Sequence, residues 1–329
     1  MITSTTKATI RNRHRYRRGI TLIEVIVVIA IIGLLLSLML PAVQHARGVV
    51  RRMSCSSRLR QLGIALTNYE SSYGVFPFGL AFKSQLLPFI DQAERYTVFC
   101  LPESERLTSQ AWNDFEATPV TLYLCPSDAA SSTVGFQGKN LGAANYAACF
   151  GSGVKLNGFN GMFNLGDIWP TSIPTYISAS HIVDGLSNTV AMSEMRHADL
   201  TWDRYRTVWK SPVRLVSAAQ VPALISQCDA MPEVPSTFGW QGDSGRLGVP
   251  WYNGDCGRGM YNHMLPPNRP SCTLSGRPAE GIFTATSFHS GGVNALFADG
   301  SVRFISNTVD VDVWGEMGSR TQTDDGASL

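Results

Sequence analysis

The sequence predicts an α+β fold in which one long N-terminal helix packs on an antiparallel sheet with long loops. Three observations predict it. An apolar run extends from Ile20 to Leu40, the helical period continues to Tyr73, and from residue 75 onward the chain changes to short segments separated by Gly and Pro. With 329 residues, of which 44% are hydrophobic, the chain is long enough to bury a sizeable core.

The apolar run has the length and composition of a membrane-spanning helix. Its 21 residues would rise about 31 Å, and the hydrocarbon core of a bilayer is roughly 30 Å thick. Its polar side chains are Thr21, Glu24 and Ser37. The Val, Ile and Leu residues after Glu24 contribute on the order of −5 kcal/mol to insertion, which outweighs the roughly +3 kcal/mol expected for one acidic residue at mid-helix. We therefore expect a single transmembrane segment, residues 20–41.

Charge on the N-terminal side predicts the orientation. Six basic residues and no acidic one precede the run: Lys7, Arg11, Arg13, Arg15, Arg17 and Arg18. This bias places the N-terminus in the cytoplasm, so we expect an inner-membrane protein with its C-terminal domain on the periplasmic side. The formal net charge is +2, and without these six residues the rest is mildly acidic, so no nucleic-acid partner is expected.

The helical period continues beyond Pro41. Residues 42–74 read as an amphipathic helix whose apolar positions recur every three or four residues, with arginines on the other faces. Gly74 is the expected C-cap, and Pro77 follows as a stop. The result is one helix from Ile20 to Tyr73.

The head, residues 75–317, reads as short elements. Leu86–Tyr96 is predicted to be an amphipathic helix, and Thr118–Asp128 a strand closed by a turn. Gly142–Pro174 reads as loops and short strands, His181–Glu194 as an Asp-Gly turn before a strand over Thr189–Met192, and Ser211–Pro278 as long loops with few regular elements.

The clearest hairpin signal is Asp299-Gly300 between two alternating runs. A two-residue turn would pair Phe297 with Val302, Ala295 with Phe304 and Val293 with Ser306. One face of this hairpin would then be apolar, and we expect it to pack on the long helix.

Seven cysteines follow the membrane segment, in a compartment where disulfides persist, and an odd number leaves at least one thiol unpaired. Spacing does not fix the connectivity. Cys256 and Cys272 lie in a Gly- and Pro-rich segment that a covalent link would stabilise, and they are the pair we favour. Residues 318–329 read as a disordered tail.

The N-terminal segment RRGITLIEVIVVIAIIGLL resembles the processing site of type IV prepilins and pseudopilins. The resemblance implies that prepilin peptidase removes the leader, residues 1–19, by cutting after Gly19, and methylates the new amino group of Ile20. It also implies that Glu24 pairs with the amino terminus of a neighbouring subunit during assembly. An intramembrane carboxylate needs such a partner. The alternative is an uncleaved anchor.

His289 and Asp299-Gly300 form an H-x9-D-G motif. With the leader, this motif resembles a large bacterial family, abundant in planctomycetes, of prepilin-type proteins with an H-X9-DG C-terminal domain of unknown function. Three further segments look like those of the family, namely LLPFIDQ, CPSD from Cys125, and DGLSNT from Asp184, which is followed by Glu194. The resemblance covers nearly the whole chain and implies a pilin-like fold.

The motif residues allow a structural and a functional interpretation. Asp299 and Gly300 suit the hairpin turn and His289 a hydrogen bond at the strand entry, although a His and an Asp close in space could also bind a metal. Turn chemistry likewise accounts for Asp184 and Asn188, while calcium is the one cofactor considered for this oxygen-rich loop. Cys125 reads as a buried thiol or a disulfide partner. No catalytic motif occurs, so no enzyme is expected.

Two classes of function fit these observations. The first is a pseudopilin-like subunit of a type II secretion or related system, whose partners are prepilin peptidase and other pseudopilin subunits in a homo- or hetero-oligomer. The second is a membrane-anchored extracytoplasmic protein that binds polysaccharide or another solute. Tryptophan side chains could stack on the sugars that such a protein would bind, although aromatic residues more often belong to the core. The candidates are Trp112, Trp169, Trp202, Trp240, Trp251 and Trp314.

Overall fold

The computed structural model describes residues 21–106, 108–136, 138–153, 160–163, 176–211, 220–231, 241–243, 247–274 and 277–321. The predicted leader, with Gly19 and Ile20, lies outside these residues, as does most of the predicted tail, residues 322–329. The chain divides into two compact units, Met1–Val49 and Val50–Leu329.

The N-terminal unit contains the first part of helix α1, Leu22–Tyr73. This helix is long and apolar enough to cross a membrane. Every side chain from Leu22 to Leu40 is exposed. Pro41 lies inside the helix. The predicted continuation of the helix through this proline is confirmed.

The second unit contains the remainder of α1, which buries one stripe of side chains. The stripe begins at Cys55 and continues at the spacing of a helix: Leu59, Leu62, Ala65, Leu66 and Tyr69. The helix ends where Gly74 adopts a left-handed conformation (φ 73°) and donates its N–H to the Glu70 carbonyl. The predicted glycine cap is therefore confirmed.

A five-stranded sheet covers this stripe. Its strands are β3 (Tyr146–Cys149), β4 (Val190–Glu194), β7 (Met260–Tyr261), β10 (Gly292–Phe297) and β11 (Val302–Ser306), in the order β11-β10-β4-β3-β7. All neighbours pair antiparallel except β3 and β7, which are parallel. Gly63 of α1 lies so close to β10 that a Cβ there would stand 2.8 Å from Leu296 Cδ1. The α+β class is confirmed, with a sheet that is mixed in direction.

The hairpin between β10 and β11 forms in a different register from the predicted one. Leu296 pairs with Val302 and Ala295 with Arg303, one residue away from the expected partners. Gly300 (φ 83°) donates to the Phe297 carbonyl, and the Phe297 N–H donates to Ser301. The connection is thus a three-residue loop with a bulge. The predicted single apolar face does not form, because both faces of β10 are buried along its whole length.

A second sheet occupies much of the region predicted as loops, Ser211–Pro278, and extends a few residues beyond both of its ends. Its strands are β5 (Val208–Lys210), β6 (Gln241–Asp243), β8 (Ser271–Leu274) and β9 (Arg277–Ile282), in the order β6-β5-β8-β9. Helix α6 (Val221–Asp229) shares an apolar core with it. A disulfide joins Cys228 of α6 to Cys272 of β8. The predicted Cys256–Cys272 pair is therefore wrong, and Cys256 lies buried beside Met260.

Two predicted elements before the sheet are also wrong. Leu86–Tyr96 is not one helix, because Asp91 is left-handed (φ 58°) and separates a 3₁₀ turn, Leu87–Ile90, from α3 (Ala93–Phe99). Thr118–Asp128 contains a 3₁₀ turn, Thr121–Tyr123, in place of a strand.

The remaining described elements are short. They are α2 (Phe82–Gln85), α4 (Glu103–Arg106), α5 (Gln110–Ala117), the hairpin β1 (Thr133–Phe136) with β2 (Lys139–Gly142), a 3₁₀ turn (Ala179–His181) and α7 (Val311–Gly318). The predicted tail started at Gly318, but Arg320 accepts a backbone hydrogen bond from Val183 and donates to Gly161. Residues 318–321 therefore belong to the head.

Candidate functional site

The Glu24 side chain caps the N-terminus of α1 by hydrogen bonding to Thr21. Its carboxylate accepts hydrogen bonds from the Thr21 backbone N–H (2.8 Å) and hydroxyl (2.9 Å), while Thr21 Oγ1 accepts the N–H of Glu24. This reciprocal pattern is a capping box, which satisfies donors that the first turn leaves unpaired. The Thr-Leu-Ile-Glu segment thus has a local structural role beside the assembly role that the resemblance implies.

Cys125, at the start of the CPSD segment, forms a disulfide with Cys55 of α1. The two Cα atoms are 5.1 Å apart, and the residues are separated by 70 positions in the chain. The turn is held by the Cys125 N–H, which donates to Asn145 Oδ1 (2.9 Å), and by the Asp128 N–H, which donates to the Cys125 carbonyl (2.9 Å). The disulfide therefore fixes the long helix to the globular domain. Cys55 was missed as a site residue because its position in the sequence is that of an ordinary stripe residue.

Beside this disulfide lies a buried pair formed by Glu194 and His289. Glu194 ends β4, His289 precedes β10, and His289 Nε2 donates to Glu194 Oε1 over 3.0 Å. Asn294 fixes the same carboxylate twice, through its backbone N–H (2.8 Å to Oε2) and its side-chain amide (2.9 Å to Oε1). The side chains of Glu194 and His289 are 2% and 4% exposed, so bulk water does not satisfy the carboxylate.

The ligand atoms of Cys55, Cys125, Glu194 and His289 all lie within 4.8 Å of one another, and we call these residues the four-residue cluster. Cys125 Sγ is 3.9 Å from His289 Nε2 and 3.9 Å from Glu194 Oε1. In a nucleophile-histidine-carboxylate triad, the two ring nitrogens face different partners. Here the Cys125 sulfur, which belongs to the disulfide, and the Glu194 carboxylate face the same ring nitrogen. The arrangement converges on one point and does not form a proton relay.

A buried ion-pair network adjoins the CPSD turn. Asp128 Oδ1 accepts from Arg206 Nη2 (2.5 Å), and its Oδ2 accepts from Asn145 (2.8 Å) and lies 3.5 Å from His197 Nε2. Burial raises the pKa of Asp128, but the hydrogen bond from Arg206 and the neighbouring His197 outweigh it, so this pKa lies below its ordinary value. The network fixes the turn that carries Cys125.

The other predicted site residues have turn roles away from the four-residue cluster. Asp299 accepts the N–H of Ser301 (2.9 Å) in the hairpin loop, at the opposite end of β10 from His289. The structure therefore does not bring together the His and the Asp of the H-x9-D-G motif. Asn188 donates to the Asp184 carbonyl (2.9 Å). Calcium binding at that loop stays a prediction.

The tryptophans are mainly core residues. Trp251 and Trp314 are fully buried, and Trp112 packs partly buried against the main core. Trp202 is 62% exposed. Trp169 and Trp240 lie outside the described residues. The described part of the chain therefore offers one strongly exposed tryptophan as a stacking platform.

Fold and site define a prepilin-type protein in which one apolar N-terminal helix, suited to single-pass membrane anchoring, is joined by a disulfide to an α+β head. A family model for the prokaryotic N-terminal methylation motif matches residues 14–40. A second family model, described as a protein of unknown function (DUF1559), matches residues 44–312, and the chain belongs to this family. No curated protein and no solved structure matches.

Proposed function

We propose that this protein is a pseudopilin-like structural subunit. Prepilin peptidase cuts after Gly19 and methylates Ile20, and the mature subunit assembles through α1 with copies of itself or with other pseudopilins. The system is of the type II secretion or type IV pilus kind. The subunit lies in the inner membrane with its N-terminus in the cytoplasm and its head on the periplasmic side. Its role is structural and not enzymatic.

The observation that carries this proposal is an exposed apolar helix whose first part, Leu22–Leu40, lies inside the match to the methylation motif. Val, Ile and Leu side chains are exposed around the whole circumference of α1 from Leu22 to Leu40. In a bilayer, lipid covers such a surface. Outside a bilayer, other apolar surfaces must cover it, and assembly of the helix with those of neighbouring subunits in a filament provides them.

Processing is tested by mass spectrometry of the full-length protein purified from its native membrane. We expect a mature chain that starts at N-methylated Ile20, and an uncut chain in the Gly19→Ala variant. Gly33→Ala is the matched control, because a Cβ at Gly33 has no heavy atom within 4 Å. An intact leader in the wild type would rule out the pseudopilin proposal.

Assembly is tested by separating the charge of Glu24 from its capping role. Glu24→Gln keeps a capping-box side chain but removes the charge. Thr21→Ala removes the capping hydroxyl but keeps the charge. A photocrosslinking amino acid at Leu38, which is 66% exposed, reports contacts between helices in the membrane. We expect Glu24→Gln to lose crosslinked oligomers while remaining processed, and Thr21→Ala to retain them. The reverse pattern would make the cap the essential role.

A second candidate is an anchored binding protein for polysaccharide or another solute. It is favoured by a groove of about 740 Å³ in the head, lined on one side by Arg58, Gln61 and Ile64 of α1. Full-length protein in detergent would be retained on a glycan column, and Ile64→Glu, which places a charge in the groove, would abolish retention. Absence of retention on every glycan tested would remove this candidate.

A further inference from the structure

The four-residue cluster has the composition of a zinc site. Two cysteine sulfurs, one imidazole nitrogen and one carboxylate oxygen are zinc ligands, and four protein ligands are typical of closed structural sites. Tetrahedral zinc with bonds of about 2.0–2.3 Å requires ligand atoms roughly 3.3–3.8 Å apart. His289 Nε2 and Glu194 Oε1 are 3.0 Å apart, and each is 3.9 Å from Cys125 Sγ. Three edges of the tetrahedron are thus close to the required length.

The four-residue cluster differs from a metal site in one respect, which is that the sulfurs of Cys55 and Cys125 are bonded to each other. A sulfur in a disulfide is not the thiolate that binds zinc. Reduction would let the two sulfurs move apart to the separation that a tetrahedral site needs. The other two ligands already face the same point, so the required movement is confined to the cysteine side chains.

We propose that Cys55, Cys125, Glu194 and His289 bind one zinc ion when the Cys55–Cys125 disulfide is reduced. A dithiol reductant transfers two electrons and two protons to the disulfide and is itself oxidised to a disulfide. As zinc binds, the two thiols release their protons, and the neutral ring of His289 carries its one proton on Nδ1 instead of Nε2, so that Nε2 is free to bind the metal. Either the disulfide or the metal thereby joins α1 to the CPSD turn.

The surroundings of the cluster support this assignment. Asn294 holds the Glu194 carboxylate through two hydrogen bonds, and Ser287 Oγ accepts the backbone N–H of His289 (3.0 Å). Such contacts outside the ligand set orient metal ligands and commonly change metal affinity by about 10–100-fold. The sulfur and nitrogen ligands favour zinc over calcium, which takes oxygen ligands. All four residues are buried, which suits a structural site.

The test uses the full-length protein in detergent, reduced anaerobically with dithiothreitol, desalted and dialysed against zinc alone. We expect about one zinc per chain for the reduced protein and none for the oxidised protein. Cobalt in place of zinc should show thiolate-to-cobalt charge-transfer absorption. Asn294→Ala should weaken zinc binding about 10–100-fold while the cobalt spectrum keeps its thiolate bands.

The second disulfide supplies the matched control. A Cys228→Ser, Cys272→Ser variant should still bind zinc when reduced, whereas a Cys55→Ser, Cys125→Ser variant should not. Circular dichroism checks that each variant is folded, and the comparison of oxidised with reduced wild type requires no variant. Zinc bound equally by the oxidised wild type, zinc retained by the Cys55→Ser, Cys125→Ser variant, or no zinc in the reduced wild type would each overturn the proposal.

Discussion

Acidification should destabilise the head through His263, which is buried in its neutral form. His263 Nδ1 donates to the Trp314 carbonyl (2.6 Å), Nε2 accepts from the Tyr261 hydroxyl (3.0 Å), and the ring stacks on Trp314 with centroids 3.5 Å apart. Burial lowers the pKa of His263 to about 3, although the hydrogen bond to Trp314 acts in the opposite direction. In the unfolded chain the pKa returns to about 6.5.

The direction of the pH effect follows from these two pKa values. The unfolded state takes up the proton as the pH falls through about 6.5, and the folded state does not until about pH 3. The stability due to neutral His263 is therefore fully present above pH 6.5 and is lost progressively below it. The loss is about 1.4 kcal/mol per pH unit, so the free energy of unfolding should fall by about 2 kcal/mol between pH 8 and pH 5.

The assay is denaturant unfolding of the full-length protein in detergent, followed by near-UV circular dichroism at pH 8, 6.5 and 5. His263→Gln is the comparison, because its amide can still donate to the Trp314 carbonyl but does not titrate. The other histidines contribute equally to both proteins, so the difference between the two pH profiles isolates His263. We expect a profile about 2 kcal/mol flatter in the variant. Parallel profiles would refute the reasoning.

Three further changes test the packing of α1 and the four-residue cluster. Replacing both Cys55 and Cys125 by alanine should lower the free energy of unfolding by about 4 kcal/mol, because the disulfide closes a loop with a separation of 70 residues and so restricts the unfolded chain. Removal of the second disulfide, with a separation of 44, should cost nearly as much. A much smaller loss at either disulfide would contradict this argument from loop entropy. Gly63→Val places a Cβ 2.8 Å from a side chain of β10 and should lower the melting temperature by the equivalent of about 1–3 kcal/mol, whereas Gly48→Val, with open space around it, should change it little. His289→Ala removes the partner of a buried carboxylate and should cost about 3 kcal/mol in denaturant unfolding, and a loss below about 1 kcal/mol would show that the pair stabilises little.

The long helix could be predicted from the sequence because each of its signals is local. Apolar residues recur at helical spacing, and Gly74 follows the last of them with the left-handed conformation that a helix C-terminus favours. The residue at which α1 begins to pack on the head was predicted less accurately. Val50 and Met53 are among the recurring apolar positions of the predicted amphipathic helix, residues 42–74, but they are exposed, and burial begins at Cys55.

Thr118–Asp128 does not form the predicted strand, because arginine side chains supply the hydrogen-bond donors that a neighbouring strand would otherwise supply. Arg58 donates to the carbonyls of Thr121 (3.0 Å) and Leu124, and Arg95 donates to the carbonyls of Pro119 (3.4 Å) and Thr118. Backbone acceptors that a sheet would satisfy are thus satisfied by side chains from two helices. No pattern within the segment itself reveals those distant donors.

The hairpin register failed for a related reason. Asp-Gly is compatible with a two-residue turn and also with a three-residue loop ending in a left-handed glycine. The alternation of apolar and polar residues would normally decide the register. Because β10 is an internal strand covered on both faces, its residues are buried on both sides and this alternation carries no information there.

The four-residue cluster was only partly predictable. His289 and Cys125 were identified as candidate residues, but their partners come from a helix and from a strand far away in the chain. A disulfide pairing between Cys55 and Cys125 depends on how α1 lies against the CPSD turn. That depends on tertiary packing, which a single sequence does not specify.

The Cys55–Cys125 disulfide also determines how the head bears a mechanical load. A pulling force applied to the N-terminal end of α1 enters the head at Cys55 and passes through the sulfur bridge to Cys125. The 3₁₀ turns and short helices between these two positions are bypassed by the covalent path and carry little tension. Extraction of the subunit by its helix would therefore strain the sheet and the part of α1 packed on it, while leaving the 3₁₀ turns and short helices between Phe82 and Tyr123 relaxed.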